Sequence, residues 1–106
     1  MLRLTLQGPP FQATRIGAKH VEVRNPSEWI HSRLEDRDTG EAREYDFIRY
    51  YNSPIFDPKA PFCFVRYAGW FWLDAPISLG PYPNGFSRSF QGPVFVICHG
   101  EVVCIG

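Results

Sequence analysis

Residues 94–105 read V-F-V-I-C-H-G-E-V-V-C-I, the most strongly patterned stretch of this 106-residue chain. Two mainly apolar segments, 94–98 and 101–105, flank the pair His99-Gly100, which suits a two-residue turn. We therefore predict a C-terminal β-hairpin. Because both of its faces are apolar, this hairpin needs cover on two sides, from a helix, a second sheet or another chain.

Strand patterns also occur earlier in the chain. Residues 2–7 and 20–24 alternate apolar and polar side chains, which is typical of half-buried strands. The sequence G-P-P at 8–10 ends the first of them, because proline cannot donate to a strand ladder. Residues 41–51 mix helix-favouring and strand-favouring residue types. We interpret them as a strand, which could pair with a preceding segment through the turn sequence at 36–40.

Two further strand-like segments lie at 62–67 and 70–74. The Ala-Gly pair between them, at 68–69, predicts a second hairpin. Residues 74–93 are rich in proline and glycine and form a long connection for so small a domain. Such a connection is either functional or conceals a short hairpin, here about the Asn-Gly pair at 84–85.

A helix start follows the strand at 20–24. Asn25 is the predicted N-cap, Pro26 stands where a missing N–H costs nothing, and Glu28 completes a capping box. Ile30 and Leu34 are four residues apart and form the stripe that faces the sheet. These features predict one short helix.

Together the patterns predict one α+β domain over residues 1–106. Its expected architecture is one short helix packed on a mainly antiparallel sheet that ends in the C-terminal β-hairpin. With 44% apolar and 21% charged residues, the chain is too hydrophobic to be a disordered tail. The predicted core residues are Leu4, Leu6, Val21, Val23, Ile30, Leu34, Phe64, Val96, Ile97 and Val103.

The charge balance and the apolar runs exclude several classes of protein. Eleven basic and eleven acidic side chains give a formal net charge of +0, which disfavours nucleic-acid binding because that depends on excess Lys and Arg. The longest apolar run, 94–98, is far shorter than the ~20 residues of a membrane-spanning helix. We therefore expect no membrane contact and a cytoplasmic location. Three cysteines are too few for a disulfide-stapled secreted domain, and we expect them to be reduced and buried.

Few residues are candidates for metal binding or catalysis. The sequence has no C-x-x-C and no pair of histidines four apart, so we expect no metal site and no cofactor. Cysteine catalysis needs a thiol beside a base, and no catalytic signature surrounds any cysteine. We therefore assign no catalytic residue. The alternative interpretation is a small enzyme that uses Cys98 and His99, or a buried carboxylate.

Aromatic residues make up 16% of the chain, and residues 61–106 carry only four charged side chains. This favours a binding or interaction module that forms a homo-oligomer, most simply a dimer. We predict that residues 74–93 fold over the second hairpin and enclose an aromatic-walled pocket for a small apolar or planar molecule, with an arginine as its polar handle. The candidate ligand-binding residues are Arg66, Trp70, Trp72, Tyr82, Phe86 and Arg88. In the alternative interpretation, the same rings only pack on one another.

Overall fold

A computed structural model describes all 106 residues. Its elements are β1 (Leu2–Thr5), α1 (Pro9–Arg15), β2 (Val21–Arg24), α2 (Glu28–Leu34), β3 (Phe47–Tyr51), β4 (Phe62–Leu73), β5 (Ile77–Leu79), β6 (Arg88–Phe90) and β7 (Val94–Ile105). Five strands form one sheet in the order β1-β3-β4-β7-β2, and β5 pairs with β6 in a separate sheet. The α+β class is confirmed in its broad form, although strands dominate and there are two helices.

The hairpins predicted with turns at 68–69 and 99–100 are wrong. β4 and β7 each run through 12 residues and pair with each other antiparallel along their whole length. The register shifts between Phe64 and Trp70, so β-bulges absorb the residues that were expected to turn the chain. Gly69 has a φ of +94°, which a residue with a side chain rarely adopts. A bulge and a tight turn both use such a glycine, and the local sequence did not distinguish them.

The bulges bend the central strand pair, and the five-stranded sheet curls. Arg24 on β2 donates from Nη2 to the backbone carbonyl oxygen of Thr5 on β1, at 2.6 Å. β1 and β2 are the two edges of the sheet, so one side chain spans the gap between them. The curl gives the sheet an inner face, which holds the main core, and an outer face.

Both helices cover the inner face. Phe11 of α1 and Ile30 and Leu34 of α2 belong to the same buried cluster as Leu4 on β1 and Ile97 on β7. α1 was not predicted, because its two leading prolines indicate the end of a strand as well as the first turn of a helix. α2 is confirmed.

The predicted cap of α2 is wrong. The side chain of Ser27, not that of Asn25, accepts a hydrogen bond from the backbone N–H of Ile30, at 3.2 Å. Asn25 and Pro26 lie outside the helix. The helix begins two residues later than a cap at Asn25 would require, and Ser27 has the extended backbone typical of a capping residue.

Part of the outer face is covered by the hairpin concealed in residues 74–93. Leu79 on β5 and Phe90 on β6 pack with Val94 and Val96 on β7. Gly80 directly follows β5, where the loop of this hairpin begins, with a φ of +80°; a side chain there would strike the carbonyl oxygen of Phe86. The expectation of a hidden hairpin is therefore confirmed.

Most of the predicted strand and core residues are confirmed. The ambiguous segment 41–51 is a strand over Phe47–Tyr51, which pairs with β1 and β4. The expected pairing through the turn at 36–40 is limited to one isolated antiparallel bridge, between Glu35 and Ala42. Of the predicted core residues, Val21 and Phe64 are only half-buried. Val103 is 41% exposed, because the hairpin that placed it inside does not form.

Polar side chains lie buried at the junction of α1, β2 and β7. Lys19 Nζ and Glu22 Oε1 form an ion pair of 2.7 Å, and Arg24 Nε lies 2.8 Å from Glu22 Oε2. His99 is buried nearby, its ring edge-on to Tyr50, and neither of its ring nitrogens has a hydrogen-bond partner. Burial, and then the charge of Lys19, lower the pKa of His99 from 6.5 to about 3.

We expect His99 to make the protein sensitive to acid. In the unfolded chain its pKa returns to about 6.5, so the unfolded state binds the proton first. Stability that is fully present above pH 6.5 is therefore lost as the pH falls toward 3, by up to about 1.4 kcal/mol per pH unit. His99→Leu should flatten this dependence, measured by urea unfolding at pH 7 and pH 4.5. His31→Gln, which removes an exposed imidazole, should follow the wild type. An unchanged acid dependence in His99→Leu would contradict the assignment.

Candidate functional site

The structure separates the six predicted ligand-binding residues. Trp70 and Trp72 lie on the inner face of β4, where both rings contact Phe95 edge-on, at centroid distances of 5.4 and 5.0 Å. Tyr82 and Phe86 stack on each other in the connection between β5 and β6, with centroids 6.1 Å apart. Tyr82 packs against the outer-face cluster. The four rings therefore lie on opposite faces of the sheet, and they do not enclose one pocket.

The two predicted polar handles also lie elsewhere. Arg66 is exposed and pairs with Glu101, with 2.9 Å between Nε and Oε1. The Arg88 guanidinium lies over the ring of Phe90, 4.5 Å from its centroid. Neither arginine lines the depression beside the two tryptophans, where Arg37 is the positively charged group.

This depression is the candidate site. It is a cleft of about 530 Å³ between the start of α2 and the β4–β7 pair, a volume within the range of small-molecule sites. We call it the α2 cleft. Its lining residues are Pro26, Ser27, Glu28, His31, Arg37, Trp70, Trp72 and Phe95. Aromatic rings thus form its floor, and polar side chains form its rim.

The alternation of side chains along β4 places both tryptophans in the α2 cleft. Trp70 pairs with Ile97 and Trp72 with Phe95 across the ladder, whereas Phe71 between them points to the outer face. The indole N–H of Trp70 donates to the carbonyl oxygen of Leu34, at 3.1 Å, which fixes its ring against the last turn of α2. Trp72 makes no hydrogen bond within the protein and is 48% exposed, so its ring remains accessible.

One ion pair and one histidine–carboxylate contact form the rim. Arg37 Nη2 lies 3.2 Å from Glu28 Oε1, and His31 Nε2 lies 3.5 Å from Glu35 Oε1. The His31 ring also stacks on Phe95, with centroids 5.7 Å apart and planes 28° from parallel. Exposed ion pairs contribute only ~0–1 kcal/mol, so a ligand can displace the Arg37–Glu28 pair at little cost. The rim therefore offers an imidazole and a guanidinium to an incoming acceptor.

A second depression of about 760 Å³ lies on the other side of Trp70. Its lining comes mainly from the loop 42–46, with Tyr45 and Tyr67 as further rings. These two rings contact each other edge-on at 5.3 Å, and the Tyr45 hydroxyl donates to the carbonyl oxygen of Arg33. The α2 cleft combines three rings with convergent polar groups, and it is the better candidate.

The residues of the alternative enzyme do not form a catalytic pair. Cys98 and His99 are neighbours on β7, so their side chains point to opposite faces of the sheet. Burial raises the pKa of the Cys98 thiol, which keeps it protonated. The low pKa of His99 weakens it as a base. No group of three or more His, Cys, Asp or Glu side chains is arranged to hold a metal ion.

Sequence reasoning found two residues of the α2 cleft and missed the rest. Phe95, His31 and Arg37 come from three distant segments that only the fold brings together. The pairing of Trp72 with Phe95 would have followed from a continuous β7 that pairs with β4. The predicted hairpins concealed that pairing.

Comparison with known proteins found no matching family model, no matching curated protein and no matching solved structure. The chemistry of the α2 cleft itself must therefore support any functional conclusion. Neither helix is long and apolar enough to cross a membrane.

We expect Trp70 to stabilise the wall of the cleft. Trp70→Phe keeps an aromatic ring but removes the hydrogen bond to Leu34, and it should lower the free energy of unfolding by about 1–2 kcal/mol. Urea unfolding would measure this. Trp29→Phe is the matched control, because Trp29 is an exposed ring on the other side of α2. Equal losses in the two variants would show that the Trp70 hydrogen bond does not hold the helix.

Proposed function

We propose that the protein is a binding module whose α2 cleft takes a small planar, mainly apolar molecule. The single observation that carries the proposal is the ring of Trp72, which is half-exposed and has no polar partner beside an aromatic floor. A planar aromatic ligand would gain the most binding free energy from the ring of Trp72, since stacked aromatic pairs are favourable beyond the apolar area that they bury.

The rim supports one further property of the ligand. Arg37 lies next to the exposed carboxylate of Glu28, which a competing acceptor can replace, and His31 lies next to the partly buried carboxylate of Glu35. A planar molecule with one carboxylate or carbonyl group at its edge would therefore satisfy both parts of the site. The apolar floor would bind the ring, and the rim would set its orientation.

Trp72→Ala is expected to abolish ligand binding and leave the fold intact. Indole, quinoline and 2-naphthoic acid are suitable probes, because binding should raise the melting temperature and quench tryptophan fluorescence. Phe71→Ala is the matched control: Phe71 is 47% exposed, adjacent in sequence and on the opposite face. The proposal fails if no probe shifts the melting temperature, or if Phe71→Ala removes the shift as fully as Trp72→Ala.

We also propose that the protein forms a homodimer. The predicted reason, a hairpin apolar on both faces, is wrong, and a different observation supports the proposal. β2 pairs only with residues 95–98 of β7, so the edge of β7 over 100–105 has no neighbouring strand. Val103 and Ile105 on this edge are exposed. Exposed edge strands of this type are templates for pairing with another chain, and a second copy offers the same edge with two-fold symmetry.

Val103→Lys should convert the dimer to a monomer. A lysine on an edge strand opposes strand addition, because the paired copies would bring two charges into the new ladder. Sedimentation velocity at 50 µM would measure the mass. Ile16→Lys is the control, since Ile16 is also an exposed aliphatic residue and lies at the end of α1, away from this edge. A wild-type monomer under these conditions would refute the proposal.

The cysteines support a cytoplasmic location, which we likewise propose. Cys63, Cys98 and Cys104 are all free. Burial raises the pKa of Cys63 to about 11, so this thiol stays protonated and serves as a small apolar side chain. Cys104 is exposed, and an exposed free thiol persists where cellular reductants keep it reduced.

A further inference from the structure

The outer face of the sheet has a second half that the β5–β6 hairpin does not cover. It lies on β1, β3 and the first part of β4, whereas the hairpin packs on residues at the other end of β7. Rings and guanidinium groups alternate across this half. We call it the aromatic–arginine face, and its residues are Arg3, Phe47, Arg49, Phe62, Phe64 and Arg66.

Arg49 occupies the centre of the aromatic–arginine face. Its guanidinium carbon lies 3.9 Å from the ring centroid of Phe62, 4.7 Å from that of Tyr51 and 5.3 Å from that of Phe64. Arg49 takes part in no ion pair, and its Nε is buried without a hydrogen-bond partner. Its terminal nitrogens are not buried. The three rings therefore surround the guanidinium, and its terminal N–H groups are free to bind an anion.

A second unpaired cation lies beside Arg49. Arg3 on β1 is its register partner across the parallel ladder, so both side chains leave the same face of the sheet. Like charges directly opposite each other on neighbouring strands are destabilising, and no carboxylate pairs with either of them. An anion between them would remove this repulsion. Arg66 lies over Phe47, 5.5 Å from the ring centroid, and its partner Glu101 is exposed.

We propose that the aromatic–arginine face binds single-stranded nucleic acid. Phosphates would bind at Arg3 and Arg49, and bases would stack on Phe64 and Phe47, the combination on which single-strand binding depends. The face lies on the outside of the curled sheet, so it does not enclose a small molecule, and affinity must come from repeated contacts along a polymer. The balanced net charge of the whole chain does not prevent this, because the fold gathers three arginines and one glutamate on this face. The proposal is independent of the α2 cleft.

Fluorescence anisotropy with labelled oligothymidine of 12 nucleotides tests the proposal. In 50 mM NaCl we expect micromolar binding that weakens about tenfold at 200 mM, as two or three phosphate contacts require. Phe64→Ala and Arg49→Gln should each weaken binding about tenfold or more. Arg49→Gln should also reduce the salt dependence, which a merely structural role would not do. Phe71→Ala, on the same strand and face but away from the arginines, should bind as the wild type does.

Four results would overturn the proposal. The first is no binding at 50 µM protein, and the second is equal affinity for a duplex of the same length, which offers no bases for stacking. The third is equal affinity for thymidine monophosphate, which would indicate a free nucleotide as the ligand. The fourth is binding to vesicles with anionic headgroups and not to the oligonucleotide. Circular dichroism of each variant confirms that the fold is intact, and Phe64→Tyr serves as a conservative variant that should retain binding.

Discussion

The antiparallel ladder between β4 and β7 joins the two longest strands, and the other elements are positioned by packing on it or pairing beside it. β3 extends the sheet on the β4 side, and β2 extends it on the β7 side. The β5–β6 hairpin packs on Val94 and Val96 of β7. The hydrogen bond from Trp70 anchors α2 to β4. Because the bulges bend this ladder, the sheet curls far enough for Arg24 to reach Thr5 across its open side.

One strand supplies both proposed binding surfaces. Along β4, Trp70 and Trp72 face inward to the α2 cleft, whereas Phe64 lies on the outer face with Arg66. The register shifts between these segments change which positions of the strand face inward. The two surfaces also differ in chemistry. The cleft holds tryptophans, with the Arg37–Glu28 ion pair and the His31–Glu35 contact on its rim. The aromatic–arginine face holds phenylalanines and arginines, of which only Arg66 has a carboxylate partner.

Local sequence signals were sufficient for the parts of the fold that local forces determine. Alternating side chains identified β1 and β2, and the region of the α2 start was recognised although its cap is Ser27. The turns at 68–69 and 99–100 failed, because a glycine in a strand permits a bulge as readily as a turn. The incorrect turn at 99–100 led to the prediction that Val103 is buried. The two incorrect hairpins together hid the pairing of Trp72 with Phe95. The remaining cleft residues, His31 and Arg37, meet the tryptophans only through tertiary packing, which no local pattern contains.

The strand order also determines when the sheet can close during synthesis. β2 is synthesised early, yet Val21 on β2 can pair only after Cys98 on β7 has been synthesised. In the same way, β1 can pair only after β3 has been synthesised. Until β7 has left the ribosome, the first strands have no central ladder on which to assemble. Long-range pairing of this kind slows folding, because a large loop must close before the contacts stabilise it. β2 therefore has no partner strand until the end of synthesis, and a transiently unpaired apolar strand favours aggregation.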